Sequence, residues 1–137
     1  MKPDHTPSQT PSQTLPLFAI FLVTFFGLAG QKAHASSDIR HGADVFETQC
    51  AECHSAKPGR NKKGPSLFGV VGRPAASVAD YAYSEAMRAN AQTWTPERLD
   101  AYLVYPRKVV PGTKMKFDGL DDTRDRADLI AFLTTEH

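Results

Sequence analysis

The 137-residue chain has room for one domain and a short appendage, not for a second core. Sixteen Lys and Arg against fifteen Asp and Glu leave a formal charge of +1, so the total gives no electrostatic reason to expect nucleic acid or a strongly acidic substrate. The only two cysteines, two residues apart, exclude a disulfide framework and leave three options: a redox pair, half of a zinc site or a haem-attachment motif.

The chain opens with a polar, weakly positive segment, Met1 to Thr14, that contains the repeat PSQTPSQT. A mostly apolar run from Leu15 to Gly30 follows, and Ala33-His34-Ala35 puts small residues at the last and third-last positions before a cleavage point. This is the pattern of a secretory signal peptide over residues 1–35, with Ser36 as the expected mature start and a single domain over 36–137. An uncleaved anchor over 15–30 is the alternative, although Pro16 interrupts the run and it is shorter than the roughly 20 apolar residues that span a bilayer. A mitochondrial transit peptide fits worse, since the first arginine is Arg40. Export to a Gram-negative periplasm is the expectation. Residues 36–137 hold fourteen basic and fourteen acidic side chains and are formally neutral.

From Asp38 to Gln49 the positions Ile39, Gly42, Ala43 and Phe46 recur at helical spacing, with Ser36, Ser37 and Asp38 as cap candidates. Gly42 inside that stripe weakens the helix by roughly 0.5–1 kcal/mol relative to alanine, which implies close approach of another backbone. Residues 57–82 carry Pro58, Gly59, Gly64, Pro65, Gly69, Gly72 and Pro74, too many breakers for a long helix and too long a stretch for an idle loop. A large apolar cofactor would order it by giving Leu67, Phe68, Val70 and Val71 something to pack on.

A short helix is expected around Ser84 to Asn90. Another is capped by Thr95, with Pro96 at its first position and Glu97 in its first turn, carries Leu99, Tyr102 and Leu103 on one face, and ends at Pro106. Over Asp122 to Thr135, Leu129, Ile130, Phe132 and Leu133 form an apolar face, and Asp121, Asp122 and Asp125 favour the start of a helix dipole. No segment has the two-residue alternation of a half-buried strand, so the fold class is all-α.

Cys50-Ala51-Glu52-Cys53-His54 is the haem c attachment pattern, in which two thiols add to the porphyrin vinyl groups and the adjacent imidazole bonds the iron. A thiol-disulfide oxidoreductase would need a surrounding βαβ pattern, and a zinc site would need a second ligand pair. Neither is present. The sixth iron position has few candidates: Met87, Met115, His41 and His137. Met115 is favoured because Pro111-Gly112-Thr113-Lys114-Met115 reads as a rigid turn that holds a thioether still, whereas Met87 lies in a weak helix where methionine usually fills core. Thioether ligation raises the potential and suits an electron carrier, while an open position would suit catalysis or gas sensing.

With these residues the chain resembles the class I c-type cytochromes, of the mitochondrial cytochrome c and bacterial cytochrome c2 kind. The resemblance runs from Gly42 to Leu133 and includes Phe46, Lys63-Gly64-Pro65, Leu67, Gly72-Arg73, Tyr83, Trp94, Tyr102, Pro106, Pro111 to Met115, and Arg126 to Leu133. It implies that the end helices cross at Gly42, Phe46, Leu129 and Phe132, and that the Pro65 carbonyl accepts the free imidazole N–H of His54. It also implies that Arg73, Tyr83 and Trp94 hold a haem propionate, and that Tyr102 donates to the sulfur of Met115. Met87 and Tyr105 depart from the usual pattern, in which asparagine stands at both places.

The implied function is that of a monomeric electron carrier, not an enzyme. Lys57, Arg60, Lys62, Lys63 and Arg73 follow the haem motif, and Arg107, Lys108, Lys114 and Lys116 bracket Met115, while Asp118, Asp121, Asp122, Asp125 and Asp128 fall beyond. A basic face containing Lys62, Lys63, Lys108, Lys114 and Lys116 is expected to dock on membrane or periplasmic redox proteins.

Overall fold

The computed structural model describes residues 36–137, and the leader expected over 1–35 lies outside them. Asp38 stands in extended backbone, and its carboxylate accepts from the N–H groups of Arg40 and His41. Two of the donors that a helix start leaves free are thereby satisfied. Helix α1 (Ile39–Val45) follows and passes directly into a π-helical turn, Phe46–Cys50. The expected helix is therefore present with a widened last turn, a feature that often marks functional sites. Its buried positions are Gly42, Val45 and Phe46, while Ile39, one turn earlier on the same stripe, is half exposed.

Helix α2 (Glu85–Ala89) is capped by the Ser84 hydroxyl, which accepts from the Met87 N–H, and α3 (Pro96–Val104) by the Thr95 hydroxyl, which accepts from the Arg98 N–H. Pro106 does not simply end α3. That helix stops at Val104, Tyr105 takes an extended φ of −160°, and Pro106 opens a second short helix, α4 (Pro106–Val109). Proline disfavours helical backbone at the residue before it and suits the first position of a helix, so one residue performs both tasks.

Helix α5 (Thr123–Thr135) is capped by Asp122, whose carboxylate accepts from the Arg124 and Asp125 N–H groups. It crosses α1 at Gly42, where a Cβ would lie 2.0 Å from the Asp128 carbonyl oxygen and 2.9 Å from Phe132 Cβ. The approach inferred from the glycine alone is that of the α5 backbone. Phe46 and Phe132 pack beside it with ring centroids 5.5 Å apart, and Leu129 is almost fully buried. Asp128 ties the crossing further: its carboxylate accepts from the Asp38 N–H at 2.7 Å and lies 2.8 Å from His41 Nδ1.

The architecture is all-α with crossed end helices, as the resemblance implies, and there is no strand among the described residues beyond an isolated bridge between Pro74 and Thr93. The breaker-rich stretch 57–82 is ordered by backbone bonds to distant segments: Gly69 N–H to Glu136 O at 2.6 Å, Gly72 N–H to Trp94 O at 2.8 Å, and Trp94 N–H to Arg73 O at 2.9 Å.

Candidate haem site

A cavity of about 520 Å³ lies among these elements, within the usual size for a buried cofactor. All nine side chains expected to serve the site line it: Cys50, Cys53, His54, Pro65, Arg73, Tyr83, Trp94, Tyr102 and Met115. Leu67, Val70, Leu99, Leu103, Phe117, Leu129 and Leu133 supply an apolar lining.

The π-turn delivers Cys50 to this cavity. A tight turn then closes with Cys53 N–H and His54 N–H both bonded to the Cys50 carbonyl, at 3.0 and 2.9 Å, which brings the second thiol and the imidazole to the same wall. Burial pushes the Cys50 thiol up to about 11, with a smaller contribution from Cys53, so it is protonated at neutral pH. Burial also holds the His54 imidazole below its ordinary value, against the opposing bond to Pro65, so the neutral ring dominates. His54 Nδ1 lies 2.8 Å from the Pro65 carbonyl oxygen. A carbonyl only accepts, so the proton sits on Nδ1 and Nε2 keeps its lone pair, the tautomer a metal ligand needs.

Gly64 makes this orientation possible, because a Cβ there would lie 2.3 Å from His54 Cε1 and 2.7 Å from Nδ1. The Gly64 N–H also bonds the Cys53 carbonyl at 2.7 Å, closing the loop onto the motif. Gly64 belongs to the Lys63-Gly64-Pro65 run, but nothing in its local sequence indicates the contact with the ring.

Met115 leaves the Pro111–Met115 turn, in which Gly112 takes a φ of +90° and the Thr113 hydroxyl accepts from the Met115 N–H at 3.3 Å. The Tyr102 hydroxyl donates to Met115 Sδ at 3.3 Å. Burial raises the Tyr102 hydroxyl pKa against an opposing bond to Thr113, which keeps it a donor throughout the neutral range. Trp94 packs on Tyr102 with ring centroids 4.9 Å apart. Thr113 is a cavity residue that sequence reasoning missed; a hydroxyl inside an otherwise rigid turn was the available signal.

Arg73 donates to the carbonyls of Phe68 and Ser66, at 2.6 and 2.9 Å. Burial lowers its pKa, with Tyr83 partly opposing. No described carboxylate lies within ion-pair distance of Arg73. Tyr83 lines the same cavity, its hydroxyl pKa raised chiefly by burial. Met87 is buried and lines the cavity, whereas Tyr105 is 44% exposed.

Besides Arg73, the basic residues Lys63, Lys114 and Lys116 line the cavity directly. Lys62 bonds the Ala51 carbonyl, Lys63 pairs with Glu52 at 2.5 Å, Lys114 donates to the Ala82 carbonyl at 3.1 Å, and Arg107 pairs with Asp118. Part of the basic charge is thus offset locally, and Asp118 belongs with Arg107 instead of standing apart from it.

Haem fits this donor set. A neutral imidazole nitrogen and a thioether sulfur could ligate haem iron, paired thiols on one turn could bond it covalently, the walls are apolar, and Arg73 would offer an anionic substituent a cation without a carboxylate partner.

Residues 37–133 match the family model described as cytochrome C oxidase, cbb3-type, subunit III. Among curated relatives, "Cytochrome c" of Gibberella zeae is 47% identical over 100 residues, covering 72% of this chain and 94% of the relative. "Cytochrome c2" of Rhodopila globiformis is 49% identical over 94 residues, covering 69% and 89%. "Cytochrome c-type cyt cy" of Rhodobacter capsulatus is 48% identical over 103 residues, which are 75% of this chain and 51% of the relative, so the chain spans about half of that protein's length. Coverage of 94% and 89% of the cytochrome c and cytochrome c2 relatives, together with the crossed end helices and the Cys50–His54 turn at the cavity wall, means that the chain belongs to the class I c-type cytochromes.

Proposed function

We propose that the chain carries single electrons on one haem c bonded through Cys50 and Cys53, with His54 and Met115 as axial ligands, between exported or membrane-bound redox partners. Membership of the cytochrome c family implies covalent haem and an electron-carrying role, and haem iron supplies the one-electron couple when bound. The observation that carries the finer reading is that two donor atoms facing one cavity are each held by a second residue. The Pro65 carbonyl fixes the His54 ring, and the Tyr102 hydroxyl fixes the Met115 sulfur. Donors held this way move little when iron changes charge, which keeps reorganisation small.

The test is the visible spectrum of the purified haem-loaded protein, oxidised and then reduced, with carbon monoxide added to the reduced form. A low-spin spectrum indifferent to carbon monoxide is expected. A high-spin spectrum, or ready carbon monoxide binding, would replace the carrier with a haem that binds substrates or gases.

Docking at the face containing Lys62, Lys63, Lys108, Lys114 and Lys116 belongs to the same proposal, as does a periplasmic site of action. The unlike charges of an acidic partner would steer encounter, so reduction rates measured by stopped flow should fall as ionic strength rises. No helix among the described residues is long and apolar enough to cross a membrane. Sequencing the mature N-terminus should find Ser36, and finding Met1 in the membrane fraction would favour a tethered carrier.

A further inference from the structure

Met115 sits in a segment without regular secondary structure that joins α4 to α5, so something outside the segment must fix its course. Its entry is held by α4 itself, through the bond from the Val110 N–H to the Pro106 carbonyl at 2.9 Å, and Val110 is buried. At its exit, the Leu120 N–H donates to the Leu103 carbonyl of α3 at 2.8 Å. Gly119, at a φ of +122°, lies so close to α3 that a Cβ would sit 2.0 Å from the Val104 carbonyl oxygen.

Besides the Arg107–Asp118 pair, the ties at that exit come from one side chain. Arg126, on the first turns of α5, is buried, and its guanidinium donates through Nη1 to the carbonyls of Leu120 and Asp121, each at 2.8 Å. Its Nε donates to Asp100 Oδ1 of α3 at 2.7 Å, and its Nη2 reaches the Thr123 hydroxyl at 3.4 Å. Four donor contacts in a planar fork are more than a lysine ammonium could reproduce in the same directions. Both polar backbone atoms of Leu120 are therefore engaged, the N–H by α3 and the carbonyl by Arg126.

We infer that Arg126 is a positioning residue for Met115: it clamps the exit of the Met115 segment against α3 in the register that lets the Tyr102 hydroxyl meet the sulfur. Asp100 and Tyr102 lie two residues apart on α3, so the guanidinium that grips the loop exit is anchored beside the residue that grips the thioether. The ordinary alternative is that Arg126 only helps α5 to dock. The inference rests on Met115 being an axial ligand, as proposed above.

The test uses the haem-loaded full chain with imidazole added to the oxidised form, an exogenous ligand that must displace Met115 to reach the iron. Three variants are compared with the parent protein: Arg126→Lys, which keeps charge but loses the fork; Asp100→Asn, which removes only the α3 anchor charge; and Phe132→Leu, which weakens the α1–α5 crossing away from the loop. Loss of one charge-assisted hydrogen bond corresponds to about tenfold in a binding constant. Arg126→Lys is expected to bind imidazole about tenfold tighter or more, Asp100→Asn to shift the same way by less, and Phe132→Leu to show the parental constant despite lower stability. If Arg126→Lys does not retain haem, the Asp100→Asn comparison decides alone. Parental constants in both Arg126→Lys and Asp100→Asn would overturn the inference, as would an equal rise in Phe132→Leu. Failure of the underlying reading looks different: the parent protein would itself bind carbon monoxide readily, before any variant is made.

Discussion

Replacing Gly64 with alanine tests whether the His54 ring is held where the cavity needs it. The added Cβ would lie 2.3 Å from Cε1 and 2.8 Å from Nε2, whereas comfortable carbon contacts begin near 3.5 Å, so ring and loop must separate by about 1 Å. The backbone has little room to retreat, since the Gly64 N–H is bonded to the Cys53 carbonyl and the next residue supplies the carbonyl that His54 bonds. Overpacking of this kind costs about 1–3 kcal/mol and a stretched hydrogen bond about 1 kcal/mol more, against about 0.4–1 kcal/mol regained from the stiffer unfolded chain. A net loss of about 1–3.5 kcal/mol is expected in guanidinium unfolding of the haem-loaded protein. If His54 ligates the iron as proposed, a weaker Nδ1–H bond also makes the imidazole a poorer donor to ferric iron, so the midpoint potential should rise. Gly59→Ala is the control: nothing lies within 4 Å of its Cβ position and φ is +63°, so only left-handed strain of about 1–2 kcal/mol is expected, with an unchanged potential. A Gly64→Ala protein with parental stability and potential would refute the role assigned to the glycine.

Three other substitutions probe separate links. Tyr102→Phe removes the donor to Met115 Sδ; under the proposed thioether ligation the sulfur becomes a better donor to ferric iron, and redox titration should show a potential lower by on the order of tens of mV. Gly42→Ala forces apart two helix backbones that a Cβ would bring to 2.0 Å, so thermal unfolding should report a loss of about 2–3 kcal/mol even after the gain in helix propensity. His41→Asn addresses pH. The bond to Asp128 raises the His41 pKa above its ordinary 6.5, so that stabilisation is complete below 6.5 and fades as pH climbs through the raised value. Asp128 is held below its ordinary 3.8, chiefly by His41, and its share is present above 3.8 and lost as pH falls through the lowered value. The Tm difference between the parent and His41→Asn should therefore be widest between those two ordinary values and narrow in more alkaline buffer; a constant difference would contradict the pairing.

Much of this arrangement is readable in the sequence because its causes are local. Asp38, Thr95 and Asp122 cap helices through their own short side chains, and Cys50, Cys53 and His54 lie within a single turn. Gly42 is informative for a different reason: a glycine on the buried stripe of a helix has few explanations other than a neighbouring backbone. What could not be read depends on partners distant in the chain. That Pro106 opens a second helix as well as stopping the first is decided by packing, since the ring permits either outcome. The widening of α1 into a π-turn, the half-exposure of Ile39 and the fit of Gly64 under His54 likewise have no periodic signature.

These distant ties converge on one element. Helix α5 receives Gly42 of the helix that leads into Cys50, grips the exit of the Met115 segment through Arg126, and, just past its end, offers the Glu136 carbonyl to the Gly69 N–H beside Leu67 and Val70. The attachment turn, the thioether loop and the apolar loop after the motif thus share a support that carries none of the proposed iron ligands. Leu129 and Leu133 of that helix also line the cavity directly. Its sequence shows an amphipathic end helix, but its role follows from where the other three segments end, because each has too little regular structure to hold its own position against the cavity.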